Sequence, residues 1–247
     1  MILTIAHKEL KTLFVSPLAW VLLALIQVVS TWVFLGRMDA YLHVQPQLLQ
    51  IANPPGFTEI IVTPVFGLAA LMLLMIIPLL TMRQIAEERK NHTMTLLISA
   101  PVSMREIVLG KFLALMFFLL IIIALLVFLS GMLSLGGNLD IGLLLSCTVG
   151  LFLVSCCYLS LGLYLSSLTA QPVIAAISTL GILLGFWVFE LASSTHDGWL
   201  HYFSILKHFE QFNHGLLDSF SIFYLMLFTL FFLIMTIRHL DGERLHR

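Results

Sequence analysis

The sequence predicts an all-α, polytopic membrane protein with six transmembrane helices and an interfacial helix ahead of the first. Three observations lead there. Of its 247 residues 60% are apolar and only 10% charged, whereas soluble domains carry roughly 25% charge. Mean hydropathy is +1.05, so polar side chains could not cover a water-soluble globule, and intrinsic disorder is excluded for the same reason. Six apolar runs approach or reach the ~20 residues that cross a bilayer as a helix, and none alternates with the period of 2 of an outer-membrane strand. A net charge of −1 with 12 Lys and Arg offers no basic field, so nucleic acid is not an expected partner.

Taken in order, residues 1–16 form a short amphipathic segment, with Ile2, Ile5, Leu10, Leu13 and Phe14 apolar and Lys8, Glu9 and Lys11 polar. Such a segment lies in the membrane interface and leads into the first span; a plain charged flank is the alternative. The spans are expected at about 17–35, 62–82, 108–135, 141–166, 172–192 and 219–238, within a single domain over 1–247. Ser16-Pro17 and Thr63-Pro64 each put a capping hydroxyl before a proline at the first helical position. Ser103-Met104-Arg105-Glu106 reads as a capping box opening the third span. Pro78 lies inside the second span and predicts a kink there. A cleaved signal peptide is the competing reading of the first run, but that run is 18 residues and ends in Trp32-Val33-Phe34-Leu35, which is no small-residue cleavage site.

Basic residues orient the bundle. With the N-terminus inside, the cytoplasmic side holds Lys8, Lys11, Arg83, Arg89, Lys90, Arg105, Lys111, Arg238, Arg244 and Arg247, and the opposite side only Arg37 and Lys207. Ten against two puts both termini in the cytoplasm under the positive-inside rule. Cys147, Cys156 and Cys157 all lie in the fourth span, so they read as packing residues rather than a disulfide framework.

Outside, the loop at 36–63 contains Pro46 and Asn53-Pro54-Pro55-Gly56, a turn between short surface helices. The loop at roughly 193–218 holds His196, His201, His208 and His214 with Asp197, Glu210 and Asp218. Their spacing lacks the tight repeat of a zinc signature, so no metal is expected; an interfacial helix with Trp199, Tyr202 and Phe203 is the preferred reading.

The cytoplasmic stretch Thr81–Lys111 is the most informative. Arg83, Glu87 and Lys90 share one helical face, which predicts that the second span continues past the membrane as a polar helix. Thr93–Ile98 is too brief for a span and too apolar for a solvated loop, so it reads as a small helix pressed against a partner.

This stretch resembles the region between spans two and three of the ABC-2-type ABC transporter permeases, above all the gliding-motility and nitrous-oxide-reductase-maturation branch. Members read approximately MR-x-x-A-E-E-R-x-x-G-T-x-E-L-L-x-x-x-P-V with a lysine at the next span. Met82, Arg83, Ala86, Glu87, Glu88, Arg89, Thr93, Leu96, Leu97, Pro101, Val102 and Lys111 match, while His92 and Thr95 stand where glycine and an acidic residue are usual. Lys8-Glu9-Leu10 followed by Ser16-Pro17, and Ser166-Ser167-Leu168-Thr169, are similar too. The resemblance implies that 83–107 is a coupling segment, with Thr93, Leu96, Leu97 and Pro101 docking on a cytoplasmic ABC ATPase. By the same token Arg83, Glu87, Glu88 and Arg89 would transmit its movement to the spans. It further implies a second permease chain (a homodimer or a paralogue), membrane lipid around both, a candidate auxiliary protein at the outer face, and a bacterial inner-membrane location for an exporter-type complex.

No GxxxxGK[ST] phosphate loop occurs, because Gly110-Lys111 runs into Phe112; ATP is therefore bound by a partner, and no cofactor or catalytic residue is expected here. Two other classes compete. A secondary transporter would place ionisable residues near the membrane midplane, but the span interiors carry none. Glu190 stands only at the outer edge of span five, as a candidate substrate or outer-face contact or else a snorkelling carboxylate. An intramembrane enzyme lacks any HExxH or paired aspartates, and Ser160, Ser166 and Ser167 read as small residues at helix contacts. A scaffold without transport of its own is the remaining alternative.

Overall fold

The computed structural model describes residues 1–48, 56–91, 103–135, 139–193 and 204–245, and among these every element is helical. The helices are α1 (Ile2–Val15), α2 (Pro17–Leu48), α3 (Phe57–Thr81), α4 (Ala86–Lys90), α5 (Met104–Gly131, continued by a 3-10 turn Met132–Leu135), α6 (Ile141–Leu168), α7 (Pro172–Ser193), α8 (Ile205–Asn213) and α9 (Ser219–Leu245). Helices α2, α3, α5, α6 and α9 are long and apolar enough to cross a membrane, and α7 adds a shorter apolar stretch, Pro172–Val188. The chain is a multi-pass membrane protein.

Several boundaries differ from the sequence expectation. Helix α2 runs on to Leu48 rather than ending near Leu35, because nothing between Gly36 and Val44 breaks a helix. Helix α3 begins at Phe57 after Gly56, so Thr63-Pro64 lies inside it instead of opening it. Thr63 is occupied otherwise: its Oγ1 donates to Asn213 O at 3.1 Å, and Asn213 Nδ2 donates to Thr63 O at 3.0 Å. The helix also runs through Pro78 unbroken and stops at Thr81, whose hydroxyl donates back to Ile77 O. The polar extension of this span is replaced by a turn, Met82–Ile85, and the separate five-residue α4.

Two expected caps are present. Ser103 and Glu106 form a full capping box at the start of α5. Ser16 separates α1 from α2 and its Oγ accepts from Leu18 N at 3.4 Å.

Helix α6 is the centre of the bundle, packed on α3, α5, α7, α8 and α9. Its buried face is rich in small residues, Ser146, Cys147, Gly150, Ser155, Cys157, Ser160, Gly162 and Ser166, which let neighbouring backbones approach where no hydrophobic drive between helices exists in lipid. At one end α8 lies across it: Ser146 Oγ donates to Phe212 O at 2.8 Å, and a Cβ on Gly150 would sit 2.5 Å from that of Phe212. Helix α8 ends in a Schellman turn, with Leu216 N bonded to Gln211 O and Gly215 at φ +81°. At the other end α1 lies along α5, where Gly110 leaves room for Ile5. Trp20, Trp32, Phe117, Phe128, Phe223 and Phe231 remain exposed on the outside of the bundle, as lipid contact requires.

The tightest helix contact gives the first prediction. A methyl on Gly162 would come within 2.9 Å of Thr81 Cβ and Cγ2, whereas one on Gly181 meets nothing. Gly162→Ala should therefore cost about 1–3 kcal/mol through overpacking, and Gly181→Ala should be neutral or stabilising. Thermal melting of the two variants in the same detergent checks this.

Candidate functional site: a charged junction at one end of the bundle

Five elements meet where α3 ends: α1, α4, the first turns of α5, the last turn of α6 and the end of α9. Lys111, eight residues into α5, is 1% exposed. An ammonium in such surroundings must be paired and hydrogen-bonded. Its Nζ donates to Glu88 Oε1 of α4 at 2.7 Å and to Glu9 Oε1 of α1 at 3.3 Å. Glu9 also accepts from Lys8 Nζ at 3.3 Å. The signs alternate, Lys8–Glu9–Lys111–Glu88, so each carboxylate has a cation beside it.

Helix α4 has two further attachments. Arg89 donates to Glu243 Oε2 of α9 at 2.6 Å. Ser166 Oγ of α6 accepts from Ala86 N at 3.1 Å and donates to Met82 O at 3.4 Å. The serine thereby bonds both sides of the turn between α3 and α4. Arg83 and Glu87 form only a long pair of 4.0 Å on the half-exposed side.

The structure thus brings Glu88 and Arg89 into the junction, while Arg83 and Glu87 stand beside it on the half-exposed side. Thr93, Leu96, Leu97 and Pro101 lie outside the described residues, as does the expected short helix at Thr93–Ile98. Glu190 lies in the last turn of α7, remote in the chain from this junction. Sequence reasoning missed three participants. Glu9 was placed on the polar face of α1, yet it is buried against α5. In the sequence Lys111 counts as a cytoplasmic basic residue and a motif match, and Glu243 does not stand out. A signal for Lys111 exists: it stands between Val108-Leu109-Gly110 and Phe112-Leu113, and a lysine inside an apolar helix requires a carboxylate from elsewhere.

At the opposite end, His208 is buried and its Nδ1 lies 2.8 Å from Ser221 Oγ, which donates to Gln211 Oε1. His214 Nδ1 is 3.9 Å from Glu59. His196, His201, Trp199, Tyr202 and Phe203 fall outside the described residues. Among the described residues no three His, Cys, Asp or Glu side chains converge as metal ligands. The cysteines of α6 are free and buried.

Long apolar helices with an ion-paired junction at one end make this a polytopic membrane protein. Residues 3–238 match the ABC-2 family transporter protein, and the chain belongs to that family. It is a permease component of an ABC transporter, and permeases of this family generally work with a cytoplasmic ABC ATPase. A comparison with curated proteins finds no match.

The junction yields a second prediction. Lys111→Met would leave buried Glu9 and part-buried Glu88 without their shared cation and should cost about 3–5 kcal/mol. Lys8→Met removes a cation whose side chain is 63% exposed and should cost under about 1 kcal/mol. Denaturation of both variants in mixed micelles measures the difference; equal losses would show that Lys111 is not the keystone of the network.

Proposed function

We propose that this chain is the membrane-spanning subunit of an exporter-type ABC complex of the bacterial inner membrane, coupling ATP hydrolysis by a separate ATPase to translocation of substrate. Two such chains, identical or paralogous, would form the pathway with two ATPase subunits, and an auxiliary protein would engage the outer face. The charged junction faces the cytoplasm, as do both ends of this chain, and six spans cross the bilayer. The gliding-motility and nitrous-oxide-reductase-maturation permeases are the branch that the 82–111 motif resembles.

The observation that supports coupling is the placement of α4. This short helix is tied by Glu88 to Lys111 of α5 and Arg89 to Glu243 of α9, and Ser166 of α6 holds the turn before it. A push delivered through residues 91–103 would reach three spans at once. In this reading Thr93, Leu96, Leu97 and Pro101 make the ATPase contact, while Arg83, Glu87, Glu88 and Arg89 carry the movement inward. Glu190 is the candidate contact for substrate or an outer-face protein.

Two variants separate docking from transmission. Leu96→Asp with Leu97→Asp should abolish co-purification of the ATPase with the detergent-solubilised chain. Glu87→Ala with Glu88→Ala should preserve co-purification and membrane insertion but remove substrate-stimulated ATP turnover in the reconstituted complex. Normal stimulated turnover in the second variant would refute the transmission role. Failure of the native chain to recover any ATPase would favour a carrier or scaffold instead.

A further inference from the structure

Helix α2 carries three polar side chains, Gln27, Ser30 and Thr31, within its apolar run Leu18–Leu35. None of the three has a hydrogen-bond partner among the described residues. Ser30 is fully buried toward the bundle, whereas Gln27 and Thr31 are part-exposed. Standing four residues apart, these two share one face of the helix, a turn from each other. In other spans Thr179, Thr229 and Thr236 each donate to the carbonyl four residues back; Thr31 does not. Gln27 Oε1 is buried without a donor, which leaves the NH2 end of the amide toward the outside of the bundle, without an acceptor.

Helix α2 packs on α1, α3 and α5, but Ala24, Val28 and Leu35 beside the polar pair are exposed. Acyl chains can bond neither an amide nor a hydroxyl, and an unpaired polar group in hydrocarbon is costly. The missing partner is therefore a span that carries donors and acceptors at the same depth. A second copy of this chain supplies both. A two-fold axis along the membrane normal lays two α2 helices side by side and parallel, and each bond one copy makes is then made again by the other. We infer that α2 pairs with the same helix of a second copy across such an axis, Gln27 Nε2 of each donating to the partner's Thr31 Oγ1. A half-turn about the last side-chain bond exchanges the amide nitrogen and oxygen, so Gln27 can equally accept from that hydroxyl. Ala24 presents little bulk next to the pair, which lets the two backbones approach. The inference rests on the two-chain complex proposed above and assigns the face on which it closes.

The test uses the full chain without ATPase, reconstituted in dioleoyl phosphatidylcholine bilayers over graded protein densities and counted by single-molecule photobleaching. The native chain should pass from one to two copies per spot as density rises. Gln27→Leu and Thr31→Val should each weaken association about fivefold or more, with the melting temperature in detergent unchanged, because neither side chain bonds within its own chain. Thr31→Ser, which keeps the hydroxyl, should stay within about twofold of native. In the membranes of the expressing cells, a short thiol cross-linker should join Val28→Cys into a product of twice the chain mass. Phe223→Cys, exposed on α9, should give none, and the native thiols are buried. Monomers at every density would overturn the inference, as would dimers indifferent to both Gln27→Leu and Thr31→Val. A Val28→Cys product of any other mass would assign the face to a different span and overturn it too. Dimers that cross-link only through Phe223→Cys would refute this face yet leave the two-chain complex standing, whereas one copy per spot even with the ATPase bound would refute that complex as well.

Discussion

A single buried ammonium governs this end of the molecule. A buried ammonium must be paired and hydrogen-bonded, and Lys111 is almost fully covered. Its partners come from chain segments 102 and 23 residues away, so pairing fixes tertiary structure rather than local structure. The preceding residue completes the arrangement. Gly110 lacks the Cβ that would strike Ile5, so α1 can lie close enough to α5 for Glu9 to reach the ammonium. One glycine makes the gap and one lysine supplies the attraction, and α1 docks because both stand together.

Helix α6 extends the same logic across the bilayer. Its small residues serve different neighbours at its two ends: Gly150 and Ser146 receive α8, Gly162 receives Thr81 of α3, and Ser166 bonds the turn into α4. Side-chain hydroxyls here bond to backbone groups that a helix end or turn leaves without an intrahelical partner. The result is a central helix that contacts nearly every other element while presenting little bulk of its own.

Much of this was legible in the sequence, and the remainder was hidden for identifiable reasons. Hydropathy and charge gave the helical membrane class, and the Ser103–Glu106 box gave the start of α5, because both signals are local. Hydropathy finds what the bilayer covers, not where the backbone ceases to be helical, so α2 outran its apolar run to Leu48. Proline is a poor boundary marker inside a bundle: Pro64 and Pro78 both sit within α3, where neighbouring groups such as Asn213 engage the adjacent backbone. The face shared by Arg83, Glu87 and Lys90 suggested a continuous helix, but spacing rules of three and four residues carry no information about Ser166, 80 residues from Ala86. The role of Glu9 is hidden for the same reason, since besides its neighbour Lys8 it binds Lys111 on another helix.

Helix α4 itself shows why tertiary contacts had to decide its place. Five residues cannot sustain a helix in isolation, because nucleation is costly and each added residue returns only one hydrogen bond. Its position is therefore set by Lys111, Glu243 and Ser166 rather than by its own propensity. Moving it would stretch the 2.7 Å bond of Glu88 and the 2.6 Å bond of Arg89, and the cost would be steep if Lys111 were left bare. It would not be left bare, because Glu9 belongs to α1 and not to the displaced segment. Two carboxylates on one buried cation thus permit α4 to shift while the charge inside α5 stays neutralised, which a single ion pair could not do.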